Sequence, residues 1–172
     1  MQKQCFILDT SAILSGISLN LGDGLMVTTP KISQELRPGG RSYRTFEMLL
    51  GKGLSIQQPS SESLCIVQKA IKKMGETHRL SDADCEILAL AYDIKNQGTY
   101  AVILLSDDYS IQNIASELHI VFQSVSHQGI TKKFKWNYRC PGCKKTFTTA
   151  VEICPICGTQ TKRSVQRKED IS

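Results

Sequence analysis

Acidic side chains stand at the ends of two apolar segments of this chain. Asp9 ends the run CFIL, and Asp107 and Asp108 follow the run AVILLS. Such runs predict buried strands of a parallel sheet, whose carboxyl ends lie along one edge. Helix capping explains one such acid by itself, but it does not explain Asp9 and Asp108 together at one edge. Because carboxylates without a cation repel each other, the pair indicates a divalent metal such as Mg²⁺ or Mn²⁺.

Three more acids extend this candidate site. Asp82 and Asp84 lie in the first turn of a helix that the segment LSDADCEILALAYDIKNQG predicts, with Ser81 as N-cap and Gly98 as its stop. A carboxylate there is stabilised by the helix dipole, so capping alone can account for either residue. Glu35 lies in ISQEL, on a helix expected after the second extended segment.

Four of the seven cysteines form two C-x-x-C pairs, CPGC and CPIC, separated by ten residues. Cys140, Cys143, Cys154 and Cys157 thus have the spacing of a structural zinc ribbon, in which four thiolates close a tetrahedron around Zn²⁺. The stretch is too short to bury a core, so metal binding must supply much of its folding free energy. A disulfide pair or a four-cysteine iron site are the alternatives, and the former lacks a secretory signal to support it.

Charge is divided unevenly along the chain. Residues 1–130 hold 11 Lys/Arg and 13 Asp/Glu, whereas residues 131–172 hold 10 and 3. A basic C-terminal part indicates contact with phosphates, although a solvated tail is the simpler alternative. Aromatic residues between the basic ones can stack on unpaired bases, but Phe147 is expected to pack against the ribbon. The candidate RNA contacts are Lys132, Lys133, Lys135, Trp136, Arg139, Lys144, Lys145, Lys162 and Arg163.

Strand and helix patterns alternate over the first 126 residues, which predicts an α/β fold with a mostly parallel sheet. We expect a nuclease-like domain over 1–126, a linker over 127–137, a zinc ribbon over 138–165 and a basic or polar tail over 166–172. No apolar run is long enough to cross a bilayer, and the N-terminus lacks a signal-peptide pattern. These features predict a cytoplasmic protein with no membrane contact.

In their order, these motifs resemble those of the PIN-domain ribonucleases. LDTSAIL is similar to the first motif of that family, LSDADCEILALA to its helix motif and LLSDDYSIQNIA to its third, while TTPKISQEL supplies the intervening acid. A PIN domain followed by a four-cysteine ribbon resembles the ribosome-assembly endonucleases within the family.

The resemblance implies a metal-dependent endonuclease that cuts precursor rRNA at the 3′ end of the small-subunit RNA, with the pre-ribosomal small subunit and assembly-factor proteins as partners. It implies that Asp9, Glu35, Asp84 and Asp108 hold the metal, with Asp107 or Asp82 contributing, and that metal-bound water attacks. Three alternatives remain open. These are a toxin ribonuclease with the same motifs, a non-catalytic RNA-binding scaffold, and a transcription-associated zinc-ribbon adaptor, which would not need the carboxylates.

Overall fold

A computed structural model describes residues 2–15, 24–76, 79–125 and 132–170. The first unit contains, in chain order, β1 (Lys3–Leu8), α1 (Thr10–Leu14), β2 (Leu25–Thr28), α2 (Pro30–Glu35), α3 (Arg41–Gly51), β3 (Leu54–Ile56), α4 (Ser61–Met74), α5 (Asp82–Gln97), β4 (Tyr100–Leu105), α6 (Tyr109–Glu117) and β5 (Phe122–Gln123). A second, smaller sheet contains β6 (Lys132–Arg139), β7 (Thr146–Phe147) and β8 (Lys162–Asp170).

The large sheet has the order β3-β2-β1-β4-β5, and all its strands run parallel. The chain winds outward from β1 in both directions, so the order reverses between β1 and β4, where ligands bind in open α/β sheets. The last residues of these strands, Leu8 and Leu105, are register partners. The backbone positions that follow them are therefore level, and the predicted α/β class is confirmed.

The core lies between this sheet and its helices. Ile7, Leu8 and Leu104 of the central strands are fully buried, as are Ile87 and Leu88 of α5. This burial explains why the strands are continuously apolar, because a parallel sheet covered on both faces has no solvent-facing side. The body that supports the acidic residues is therefore closely packed.

Helix α5 begins and ends where the sequence predicts. The Ser81 hydroxyl accepts from the Asp84 N–H, and the Asp84 carboxylate accepts from the Ser81 N–H, forming a capping box. Gly98 ends the helix with φ 71°, a left-handed conformation that glycine adopts at little cost. This capping fixes the first turn of α5 at the carboxyl edge of the sheet.

The second sheet extends into segments that we expected to be irregular. Strand β6 starts at Lys132, within the predicted linker, and β8 continues to Asp170, within the predicted tail. The two strands pair antiparallel over this length, with a register shift between Lys135 and Trp136. Phe134, Trp136 and Tyr138 alternate with polar residues, which is a strand pattern, but the basic charge of the segment favoured a linker. Residues 127–131 and 171–172 of those segments lie outside the described part of the chain.

Within that part of the chain, no helix combines the length and the apolar character that a membrane span requires.

Candidate active site and thiolate cluster

Asp9 is a buried carboxylate, 5% exposed, at the end of the central strand β1. Its Oδ2 accepts hydrogen bonds from the hydroxyls of Ser11, at 3.0 Å, and Ser106, at 2.8 Å. Burial raises the pKa of Asp9, and these hydroxyls together with the N–H groups of Thr10 and Ser11 oppose that rise. Within the described residues no Lys or Arg pairs with Asp9. The negative charge is therefore held by neutral groups alone.

The same two serines position the loop after β4. The Ser11 hydroxyl accepts from the Asp107 N–H at 3.0 Å, and the Ser106 hydroxyl accepts from the Asp108 N–H at 3.1 Å. Each serine thus donates to Asp9 and accepts from the neighbouring loop. These serines, in LDTS and LLSDD, carry no metal-site signal in the sequence because serine is a poor metal ligand.

Asp84 and Asp108 lie near Asp9. Burial raises the pKa of Asp84, and the negative charges of Asp9 and Asp108 raise it further, against the lowering by the Ser81 hydrogen bonds. Asp108 is the N-cap of α6, and its Oδ1 accepts from the N–H groups of Ser110 and Ile111 at 2.6 and 3.4 Å. Capping and clustering therefore coexist, so the choice between them in the sequence analysis was too narrow.

The other three predicted acids have different surroundings. Glu35 Oε2 accepts from the hydroxyl of Thr10 at 2.8 Å, and Thr10 is the residue that follows Asp9 in the sequence. Asp82 is exposed and pairs with Lys31 at 3.1 Å. Asp107 accepts from the Ser124 hydroxyl at 2.5 Å and the Val125 N–H at 2.8 Å, so it holds the end of β5. These contacts favour Asp108 over Asp107 as the acid that faces the cluster.

The donors at this edge suit a hard cation. Asp9, Asp84 and Asp108 offer carboxylate oxygens, the ligand type that Mg²⁺ and Mn²⁺ prefer. Burial raises the pKa of Asp9, and burial together with the charges of Asp9 and Asp108 raises the pKa of Asp84. A divalent cation would offset both effects. In the described ranges these carboxylates do not form a ligand group as tight as the four thiols described next.

The four predicted cysteine ligands lie together. Their sulfur atoms are all within 4.8 Å of one another. Cys140 Sγ is 3.3 Å from Cys157 Sγ, and Cys143 Sγ is 3.6 Å from Cys154 Sγ. A tetrahedron with metal–sulfur bonds of about 2.3 Å has edges of nearly 4 Å, so the donor set fits one tetrahedral metal ion. Thr159 hydrogen-bonds Cys157 and lowers the pKa of that thiol to about 6, whereas, against the lowering by its hydrogen bond with the Lys145 backbone, the pKa of Cys143 is raised to about 11 by burial and the neighbouring thiols. A cation shared by the four sulfurs would favour the thiolate at both positions.

The two knuckles repeat one backbone pattern. Cys140 N–H donates to Lys145 O and Lys144 N–H to Cys140 O, as Cys154 N–H donates to Thr159 O and Gly158 N–H to Cys154 O. The residue after the second cysteine of each knuckle is left-handed, with φ 64° at Lys144 and 70° at Gly158. Glycine adopts this conformation readily, whereas a residue with a Cβ is strained in it. The first knuckle therefore carries strain that the second avoids.

The predicted basic contacts separate into two groups. Arg139, Lys144, Lys145 and Lys162 are exposed. Arg163 instead pairs with Glu76 of the first unit at 3.3 Å, and its side chain is only 26% exposed. The side chains of Lys132, Lys133, Lys135 and Trp136 lie outside the described part of the structure. The expectation that all nine residues contact RNA thus stays a prediction, and the surroundings of Arg163 speak against its inclusion.

With the fold and the two clusters described, the sequence of the chain can be compared with known proteins. Residues 6–94 match the family described as the PIN domain of ribonuclease. The chain is 36% identical to Endoribonuclease Nob1 of Pyrococcus abyssi, covering 96% of this chain and 97% of that protein. It is 36% identical to Endoribonuclease Nob1 of Archaeoglobus fulgidus, covering 90% and 87% of the two chains. It is also 36% identical to Ribonuclease VapC1 of Thermoplasma acidophilum, covering 96% of this chain and 81% of that protein.

The chain therefore belongs to the PIN-domain ribonuclease family, and it is an endoribonuclease with a four-cysteine, ribbon-like second unit. Within that family, its similarity extends to proteins named Nob1 over most of their length. The relative named VapC1 is covered almost as fully, so extent of similarity does not by itself separate these two kinds of ribonuclease.

The tight packing of the first knuckle leads to a prediction about Gly142. A Cβ there would lie 2.9 Å from Thr159 Oγ1 and 3.4 Å from Cys157 Sγ. Since Thr159 is β-branched and hydrogen-bonds Cys157, Gly142→Ala should disturb that thiolate and weaken zinc binding by about tenfold. Zinc titration against a chromogenic chelator measures the change. Ile156→Ala, at the exposed matching position of the second knuckle, is the control. An equal loss of zinc affinity in both variants would contradict the explanation by contact with Thr159.

The strain at Lys144 leads to a second prediction, in which two properties change in opposite directions. Lys144→Gly removes the strain of the left-handed conformation and should raise the free energy of unfolding of the zinc-bound ribbon by about 1 kcal/mol. Retention of zinc on heating measures this change. It also removes an exposed positive charge and should lower RNA affinity and reduce its salt dependence by about one counterion. Lys145→Gln is the matched control, because it removes a charge without relieving strain. RNA binding that is unchanged in Lys144→Gly would exclude this residue from the interface.

Proposed function

We propose that the protein is a metal-dependent endoribonuclease that forms the 3′ end of small-subunit rRNA from its precursor during ribosome biogenesis. The observation that carries this proposal is the presence, on one chain, of an acid cluster at the switch point of the sheet and a basic four-thiol ribbon. The similarity to proteins named Nob1 along nearly the whole chain supports it. The rRNA substrate itself comes from the family resemblance of the motifs.

Two metals have different roles in this proposal. The four cysteines hold a structural Zn²⁺, with no coordination position left for catalysis. Asp9, Asp84 and Asp108, with Glu35 beside them, hold Mg²⁺ or Mn²⁺. When bound, that cation activates water and stabilises the leaving oxygen in phosphodiester hydrolysis. We expect elemental analysis of the purified protein to give about one zinc per chain.

Hydrogen bonds within the chain fix the carboxylates of this site without a bound cation. The hydroxyls of Ser11 and Ser106 hold one oxygen of Asp9, which fixes the rotamer of its carboxylate. The capping bonds of Asp84 and Asp108 use Oδ2 and Oδ1, respectively, and so fix those side chains too. Basic residues of the ribbon then hold the phosphate backbone of the RNA near the site.

A toxin-type ribonuclease is the second candidate, favoured by the similarity to the protein named VapC1. The two functions differ in the RNA that is cut. The deciding experiment incubates the purified protein and Mn²⁺ with RNA that spans the mature small-subunit 3′ end, alongside total cellular RNA, and maps the products to the nucleotide. One cut at the mature end supports rRNA processing. Cuts in other RNAs, with the rRNA precursor left intact, would support the toxin reading instead.

Removal of charge from the acid cluster tests the catalytic assignment. Asp9→Asn should lower cleavage by on the order of a hundredfold or more, because it removes a metal ligand. A raised pKa means that the folded protein disfavours the ionised carboxylate. The metal-free wild type therefore loses stability as pH rises above the ordinary range of Asp, and Asp9→Asn should remove part of this loss. Its melting temperature without metal at pH 7 should thus hold or rise.

Two further variants control this test. Asp84→Asn should show the same loss of cleavage, although the weaker cap at Ser81 offsets part of its gain in stability. Glu62→Gln removes an acid from the first turn of α4, away from the cluster, and should leave cleavage intact. An Asp9→Asn protein that cuts normally, or that is inactive only because it unfolds, would return Asp9 to a structural role.

A further inference from the structure

The start of helix α2 lies next to the strand end that carries Asp9. Strand β2 ends at Thr28, a fully buried residue whose hydroxyl donates to the carbonyl of Leu8 at 2.8 Å. Leu8 directly precedes Asp9 in the sequence. Lys31 follows Thr28 by three residues and is the second residue of α2. Lys31 therefore lies at the same carboxyl edge of the sheet as the acid cluster.

The side chain of Lys31 bridges to helix α5. Its Nζ lies 3.1 Å from Asp82 Oδ2 and 3.7 Å from Glu86 Oε1. Asp82 and Glu86 are one turn apart on α5 and share a face, and Asp84 lies in the same first turn as Asp82. On α2, Glu35 is likewise one turn from Lys31. The ammonium thus lies beside the turns that supply two of the acids in the proposed metal site.

The two carboxylate partners of Lys31 differ in burial. Glu86 is 8% exposed, and its Oε2 also accepts from the Lys31 N–H at 3.4 Å. The side chain of Asp82 is 88% exposed, and that of Lys31 is 41% exposed. A buried carboxylate that loses its cation remains desolvated, whereas an exposed ion pair contributes only about 0–1 kcal/mol. Glu86 therefore anchors the lysine, and Asp82 is a partner that can be exchanged.

The charge at this edge of the sheet makes such a cation useful to a ribonuclease. Residues 1–130 hold 11 Lys/Arg and 13 Asp/Glu, and several of the acids gather at this edge. Coulomb repulsion from these acids opposes the approach of an RNA backbone. An ammonium with an exchangeable partner offsets that repulsion, because a phosphate oxygen accepts a charge-assisted hydrogen bond in place of the exposed carboxylate.

We propose that Lys31 binds an RNA phosphate next to the scissile bond, and that Asp82 is the partner which this phosphate replaces. Lys31 is then a substrate-binding residue of the nuclease domain itself. Asp82 serves the lysine and not the metal, which reverses the role that the sequence suggested for it. The inference rests on the proposed active site at the acid cluster.

Removal of charge from each side of the contact tests it. In a short unstructured RNA that the wild type cuts at one bond, each phosphate flanking that bond is replaced in turn by a neutral methylphosphonate. At one position the replacement should lower the wild-type kcat/KM about tenfold, the effect of one charge-assisted hydrogen bond. Lys31→Gln should lower kcat/KM on the unmodified RNA by the same factor. The replacement at that position should then have no further effect on Lys31→Gln.

Asp82→Asn should act in the opposite direction. It removes the carboxylate that competes with the phosphate, so kcat/KM on the unmodified RNA should rise about threefold. This gain should disappear in the double variant with Lys31→Gln, and also on the methylphosphonate RNA that the wild type cuts poorly. A titration of the RNA-free protein with Mn²⁺ should give the same affinity for Asp82→Asn and the wild type, since Asp82 is not a metal ligand in this proposal.

Two variants control these measurements. Lys73→Gln removes another exposed lysine, which pairs with Glu117 between α4 and α6, and it should keep the full methylphosphonate effect. Lys31→Arg keeps the charge and should keep that effect too. If Lys31→Gln does not fold, the gain in Asp82→Asn and its loss on the methylphosphonate RNA decide the question. A methylphosphonate effect in Lys31→Gln as large as in the wild type at every position would overturn the contact. Weaker Mn²⁺ binding by Asp82→Asn would overturn the role given to Asp82.

These outcomes are distinct from failure of the proposed function. If the wild-type protein cuts elsewhere than the mature 3′ end, the rRNA assignment fails, but the contact of Lys31 is still measured on the short RNA. If Asp9→Asn cuts that RNA normally, the assignment of the acid cluster fails. Coincident losses from Lys31→Gln and from one methylphosphonate would still place Lys31 on the substrate.

Discussion

The buried negative charge of Asp9 is the constraint on which this nuclease site depends. A carboxylate at the end of a central strand loses most of its water, and a protein normally compensates such a loss with a basic partner. Here the described partners are the hydroxyls of Ser11 and Ser106, which stabilise the charge without neutralising it. The charge therefore stays available to a cation. The part of its desolvation free energy that the hydroxyls do not offset must be compensated by the packing of β1 and β4.

This arrangement couples the fold to the site more tightly than a list of acids suggests. The serines that bond Asp9 also fix the N–H groups of Asp107 and Asp108, and Asp108 caps the helix that follows. Each acid of the cluster thus uses one oxygen to hold a structural element. Stability and metal binding are then properties of the same side chains, so one substitution changes both. A loss of metal binding without a loss of stability identifies a metal ligand, whereas a loss of stability identifies a structural role.

The sequence alone was sufficient for the strands of the parallel sheet, the caps of α5 and the sulfur cluster. Continuous apolar runs identify buried parallel strands, Ser81 and Gly98 delimit α5, and the spacing of the two C-x-x-C pairs fixes a shared centre. It was not sufficient for the roles of Ser106 and Arg163. With the same local sequence pattern, a hydroxyl or guanidinium can face water, RNA or a carboxylate. Which of these partners it meets depends on contacts between residues far apart in the sequence. The length of β6 escaped prediction for another reason, because the basic charge of KKFKWN favoured a linker although Phe134, Trp136 and Tyr138 alternate with polar residues.

Comparison of Arg163 with Lys144 indicates how the ribbon divides its positive charge. Arg163 is placed by strand register against a buried carboxylate, so it serves attachment to the body. Lys144 occupies a left-handed position for which the second knuckle uses glycine, and it remains exposed. Backbone strain of this kind is typical of residues with a functional contact, and the described residues offer the side chain of Lys144 no partner within the protein. Strand register and burial thus assign Arg163 to attachment of the ribbon, whereas the exposed and strained Lys144 stays a predicted RNA contact.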